Sequence, residues 1–198
     1  MDNAQLKERE SALRAQVRGK LAEIPQASLQ EMLAKSRWNC DSHWMMALVI
    51  NAGWETANRV NLEVVKATGK TEMHRLMKLV GIKEVSTEEE FGLLVMMAMA
   101  VFTTSDYWEY ETRGLPSGDM KAYISRCYAY TKTRSIGVER DYECGCFGLR
   151  AGWYEAMGVD VEEVLIRCLK DGDSQCEIQV EKRDNLICRL RRPTDSVG

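Results

Sequence analysis

The sequence predicts an α+β protein, with N-terminal helices leading into an antiparallel sheet that carries helices on one face. Two observations carry that expectation. Apolar residues recur at three- and four-residue spacing through the first hundred positions, the signature of amphipathic helices. Beyond them, two hairpin patterns are separated by one helical stretch, an order that suits α+β rather than alternating α/β architecture. The expected divisions are a helical region over 1–81, an α+β unit over 82–192 and a polar tail over 193–198.

Asp2–Glu23 combines strong helix formers with a thin stripe of Leu6, Leu13 and Val17, and reads as an exposed helix suited to a partner subunit. Pro25 ends it, and Ser28 is the expected N-cap of the next helix, Ser28–Ala52. There Trp38, Asp41, Met45 and Leu48 share one face, which Leu33, Trp44 and Ala47 broaden. A carboxylate on an apolar stripe either accepts structural hydrogen bonds or faces a pocket. Gly53 breaks this helix. Trp54–Thr68 forms another, with Gly69 read as its terminal glycine. Thr71–Val80 is then a short helix ending at Gly81.

Ser86-Thr-Glu-Glu89 reads as a capping box and starts a helix over Thr87–Thr104. Apolar on nearly every side and rich in methionine, that helix should lie at the buried centre, as plain core or as one wall of a ligand pocket. Tyr107–Arg113 and Asp119–Tyr130 alternate as a hairpin around Leu115-Pro-Ser-Gly118, and Thr131–Arg140 connects onward. A helix over Phe147–Met157 follows, then strands Val161–Leu169 and Cys176–Glu181 around Lys170–Gln175.

Composition narrows the function classes. The net charge is −3 and the pI about 5.6, so nothing favours nucleic acid, and the basic run Lys182–Arg192 reads as solvation of an edge strand. The longest apolar run, Phe91–Phe102, is too short for a bilayer, so no membrane role is expected. Charged throughout Met1–Ala22, the chain opens without a secretory pattern, and its seven cysteines point to a reducing compartment, read as cytoplasmic. The two histidines, His43 and His74, fall on separate helices, which excludes a histidine-rich metal site.

The densest chemistry is Cys144–Glu181, which holds four of the seven cysteines. Cys168 and Cys176 stand at a hairpin mouth, where facing Cβ atoms sit about 4.5–5.5 Å apart. Cys144 and Cys146 flank Gly145 at a helix start, where the helix N-terminus should lower the thiol pKa of Cys146. These four thiols are candidate ligands of one tetrahedral metal ion, zinc above all, while buried free thiols and a disulfide remain open readings. As a nucleophile, Cys146 has no base within the motif.

The pattern Cys146-Phe-Gly-Leu-Arg-Ala-Gly, then Cys168, then Gly172-Asp173-x-x-Cys176, resembles the C-terminal half of the 4-vinyl reductase-type domain, a small-molecule-binding α/β module. The resemblance covers Asp141–Glu181 and implies zinc on Cys168, Cys176 and one of Cys144 or Cys146. Where the phenol-sensing members place a ligand glutamate this chain has Leu165, so the second cysteine of the Cys-Gly-Cys turn would replace it. The whole chain, with its Trp38-x-x-Asp41-x-x-Trp44 helix, also resembles a group of prokaryotic proteins that carry such an N-terminal helix and, more distantly, aminothiazoline-carboxylate hydrolases. The first likeness implies a hydrophobic or aromatic ligand; the alternative is a small-molecule hydrolase or a reductase-associated enzyme of the aminothiazoline-carboxylate hydrolase-like type. The expected pocket lies between the Met-rich helix and the sheet, with Asp41, Trp44, Tyr110 and Tyr123 as ligand contacts. A homodimer built on Met1–Glu23 is the expected assembly.

Overall fold

The structure is a computed structural model and describes residues 3–114 and 120–182. Among them are five helices and one four-stranded antiparallel sheet, the α+β class expected. Helix α1 spans Asn3–Glu23 and α2 Gln26–Val80; α3 (Glu88–Phe102) precedes the hairpin β1 (Trp108–Arg113) and β2 (Met120–Cys127). Helices α4 (Tyr128–Ser135) and α5 (Gly145–Met157) lead to β3 (Val161–Arg167) and β4 (Cys176–Lys182). The strand order is β1-β2-β4-β3, so the second hairpin inserts β4 beside β2. The turn read at Leu115–Gly118, most of the basic run and the tail lie outside the described residues.

Helix α2 has two limbs. At Gly53 the backbone adopts φ 77° and ψ 167°, a conformation open essentially to glycine alone, and the chain turns back. The ion pair between Arg37 and Glu72, at 3.0 Å, measures that turn. A straight helix would hold these residues about 50 Å apart at 1.5 Å per residue. The break at Gly53 is therefore as the sequence predicts, and Gly81 caps the second limb in the left-handed conformation.

Gly69 does not end a helix. It is buried inside the second limb because α5 crosses there, and a Cβ on Gly69 would meet the Leu149 carbonyl oxygen at 2.1 Å. Gly152 of α5 answers from the other side, where a Cβ would meet the Lys66 carbonyl at 2.1 Å. Two smaller readings also move. Helix α2 begins at Gln26 with Pro25 as N-cap, not at Ser28. The capping box closes one residue later than read, between Thr87 and Glu90, while Ser86 also donates to the Glu90 carboxylate from its backbone N–H and its hydroxyl.

The main core joins Met73, Leu76 and Met77 of α2 with Phe91 and Leu94 of α3, Trp153 and Met157 of α5, and Met120 and Val180 of the sheet. Residues on both sides of position 81 thus share one interior. Helix α3 buries Phe91, Leu94 and Ala98 but leaves Leu93 and Met96 about half exposed, so it is a one-faced helix rather than the buried centre. The space between it and the sheet is packed core, with Leu94 and Met120 almost fully buried. The outer sheet face is polar, as the Lys121–Glu177 pair shows. Along α1 every side chain described is exposed. Among the described residues, no helix is long and apolar enough to cross a membrane.

Candidate functional site

Two cavities adjoin at the N-terminal end of α5. The first, about 340 Å³, lies between the two limbs of α2, α4 and the start of α5. Trp38, Met45, Trp54, Val65 and Leu149 make it largely apolar, with Asp41, Arg37, Tyr128 and Lys132 as polar groups. The second, about 420 Å³, lies between the end of β2, the start of α5 and the β3–β4 hairpin. Tyr142 and Cys146 belong to both linings, so one thin wall separates the cavities.

That wall is held in place by named bonds. Asn58, buried on α2, donates to the Asp141 carbonyl at 2.7 Å and accepts from the Glu143 N–H at 3.0 Å. Tyr142 Oη accepts from the Gly145 N–H at 3.2 Å, and Lys170 donates to the Tyr142 carbonyl. Arg150, one turn further along α5, grips the Glu163 carboxylate of β3 with two bonds at 2.5 and 2.8 Å. Bidentate charge-assisted pairs of this kind fix orientation as well as energy.

Five thiols line the second cavity: Cys127, Cys144, Cys146, Cys168 and Cys176. The four named from the sequence line this cavity, together with Cys127. Cys168 and Cys176 bring their sulfurs to 4.0 Å, and the Leu169 N–H donates to the Cys176 sulfur at 3.4 Å. All five are free thiols, so the disulfide reading is not realised in this structure. Cys146 touches both Cys127 and Cys144. Its hydrogen bond to Cys127, together with burial, pushes its thiol pKa up; the helix N-terminus does not prevail, contrary to expectation. Cys144 is raised by its bond to Cys146 and by burial, and Cys176 chiefly by burial.

The donor chemistry suits a soft divalent ion. Two thiolates in a tetrahedral zinc site, each about 2.3 Å from the metal, stand about 3.8 Å apart, close to the Cys168–Cys176 separation. As they stand, no three His, Cys, Asp or Glu side chains among the described residues gather closely enough to hold a metal ion. Cys146 bonds to Cys127 and Cys144, and Cys176 bonds to Cys168. Rotation between staggered χ1 wells is all a cysteine needs to re-aim its sulfur.

The four ligand contacts expected from the sequence separate. Asp41 lines the first cavity, and its carboxyl pKa is raised by burial against the opposing pull of Arg37, 3.7 Å away. Trp44 does not; it is 68 % exposed, because the limb turns its Trp38–Asp41–Met45 face inward. Tyr110 packs against the aromatic cluster of Trp108 and Tyr128 and lines neither cavity. Tyr123 is paired across the sheet with Glu177 and holds the Arg113 guanidinium 5.1 Å from its ring centre, again outside both linings. Both histidines are exposed and outside both linings.

Cys127, Asn58, Tyr142 and the α4 contacts were missed. For Cys127 the signal was a lone cysteine closing a strand, which becomes informative only once β2 is known to pair with β4. No protein-family model matches this chain, and no curated protein matches it.

Proposed function

We propose that this protein binds a small hydrophobic or aromatic molecule in the cavity between the limbs of α2, and that its thiol cavity holds a stabilising metal ion, zinc by its donor set. The observation that carries this reading is the shared wall. An apolar cavity with a few polar groups is the common form of a small-molecule site. Behind it, Tyr142 and Cys146 belong also to a chamber walled by five thiols. A metal there would fix the Cys144–Cys146 turn and with it the back of the ligand cavity. A four-thiolate zinc is coordinatively closed, so its part is structural. Among the described residues no histidine faces either cavity, which leaves the thiols without the usual base for the alternative, hydrolytic reading. Free thiols suit a reducing compartment, and the exposed stripe of α1 suits a second copy of the chain.

The test is a thermal-shift panel of aromatic compounds against the metal-loaded protein and an Ala129→Trp variant, which fills the cavity. A ligand at a hundred times its Kd adds about 2.7 kcal/mol to stability. Binders should raise the melting temperature of the parent and not of the variant. Equal shifts in both, or none in either, would overturn the ligand reading. Metal content of protein purified under reducing conditions tests the other half.

A further inference from the structure

We propose that Cys168 and Cys176 are a redox-active pair, which a low-molecular-weight disulfide such as oxidised glutathione converts reversibly into one disulfide bond across the mouth of the β3–β4 hairpin. The proposal goes beyond the ligand and metal readings and needs neither. It rests on sulfurs already side by side, a backbone already fixed, and a cavity at their flank.

The two sulfurs stand 4.0 Å apart, the Cys176 thiol donating to that of Cys168. Strand register puts them there. Leu165 pairs with Ile178 and Arg167 with Glu177, so Cys168 and Cys176 come next, facing each other where the ladder ends. Facing Cβ atoms of an antiparallel pair lie about 4.5–5.5 Å apart, and a disulfide asks for about 3.5–4.5 Å, so the two ranges meet. Bringing the sulfurs to about 2.05 Å is then chiefly a matter of χ1 rotation.

The turn between them is held in place. The Cys168 N–H donates to the Asp173 carboxylate at 2.9 Å, and the Cys168 carbonyl accepts from the N–H groups of Asp171 and Asp173 at 2.9 and 3.3 Å. Cys146 is different: it bonds to both Cys127 and Cys144, and so has two rival partners. Both hairpin cysteines line the cavity of about 420 Å³, which gives a small oxidant somewhere to stand. Lys170, inside the same turn, holds the Tyr142 carbonyl, which puts the pair beside the wall that the cavities share.

The exchange balances. One cysteine thiolate attacks a sulfur of oxidised glutathione, breaks its S–S bond and releases one glutathione. The second thiolate attacks the protein sulfur of the mixed disulfide and releases the other. Two protein thiols are oxidised, one small disulfide is reduced to two thiols, and the two protein protons end on those thiols. The Leu169 N–H, 3.4 Å from the Cys176 sulfur, favours the thiolate, while burial opposes it and pushes that thiol up to about 11. Attack is therefore slow, and equilibrium rather than rate is the measure. In a reducing compartment, transient disulfides of this kind ordinarily serve catalysis or redox sensing.

The test equilibrates the full chain, with a chelator present and air excluded, in glutathione buffers of graded ratio. It is run once folded and once in urea, with free thiols trapped and the bonds mapped by mass spectrometry. The equilibrium constant for joining Cys168 to Cys176 should be at least tenfold larger in the folded chain, and excess reduced glutathione should return both thiols. Equal constants in the two states, a folded chain that stays reduced, or one that joins Cys146 to Cys127 or Cys144 instead would overturn the proposal. Because no variant is needed, loss of folding cannot obscure the result. Failure here leaves the aromatic panel and the metal content to be judged by themselves.

Discussion

Glu72 sits 8 % exposed where the second limb of α2 meets α5, and three groups attend its carboxylate: Arg37 at 3.0 Å, the Trp153 indole N–H at 3.4 Å, and Arg75 at longer range. Burial raises its pKa and Arg37 opposes that rise. Arg37 also stacks on Trp38 and reaches toward Asp41, so one guanidinium joins the core to the first cavity. Removing one partner of a buried pair costs about 3–5 kcal/mol. Because the Arg37 side chain keeps 23 % of its surface, Arg37→Met should cost near the lower end, about 3 kcal/mol, in denaturant melts at pH 7. The sign with pH follows from the raised carboxyl. The folded state holds the proton more tightly than the unfolded one, so the deficit should shrink as pH falls from 7 toward 5. A deficit that is constant across that range would mean that lost packing on Trp38, not a stranded charge, is responsible.

At the scale of elements, the crossing of α2 and α5 decides where the cavities open. Gly145, Gly148 and Gly152 lie along one side of α5, against Asn61, Leu62, Val65 and Lys66. Backbone contact at this crossing sets how near the Cys144–Cys146 turn comes to the limbs of α2. An added methyl normally costs about 1–3 kcal/mol through overpacking. At Gly69 and Gly152 the obstacle is backbone that cannot rotate away, so Gly69→Ala or Gly152→Ala should cost about 3 kcal/mol, measured by equilibrium unfolding. Gly19→Ala, with nothing within 4 Å on exposed α1, should be neutral or stabilising by up to about 1 kcal/mol. Equal effects at all three would remove the close crossing as the cause. The same glycines show what the sequence could reveal. Gly53 and Gly81 interrupt a local period and were legible as breaks. Gly69 looks the same in one dimension, and only a second helix distinguishes a close approach from a cap. The hairpin cysteines were legible because a turn joins them. Cys127 was not, since its neighbours arrive through sheet pairing from positions far along the chain.

The whole molecule leaves one element without a place. Among the described residues helix α1 packs extensively along no other element, and Leu13, Val17 and Leu21 are 60 %, 50 % and 51 % exposed. Residues 13, 17 and 21 recur at four-residue spacing, so they form one stripe rather than scattered exposure. A helix of this length is marginal alone in water, and its stability ordinarily comes from burying such a face. Nothing else in the described chain covers it, whereas a second copy offers the same stripe in a self-complementary, twofold arrangement. Deletion of residues 1–23 should therefore convert a dimer into a monomer in light scattering. The remaining fold should keep its core, because no residue of α1 belongs to any of the three apolar clusters. The two forms differ in a second readout. Melting of the full chain should rise with protein concentration, as a folded dimer in equilibrium with unfolded monomer requires, and melting of the shortened chain should not. An unchanged mass after the deletion, or a full chain whose melting ignores concentration, would leave α1 to some other partner.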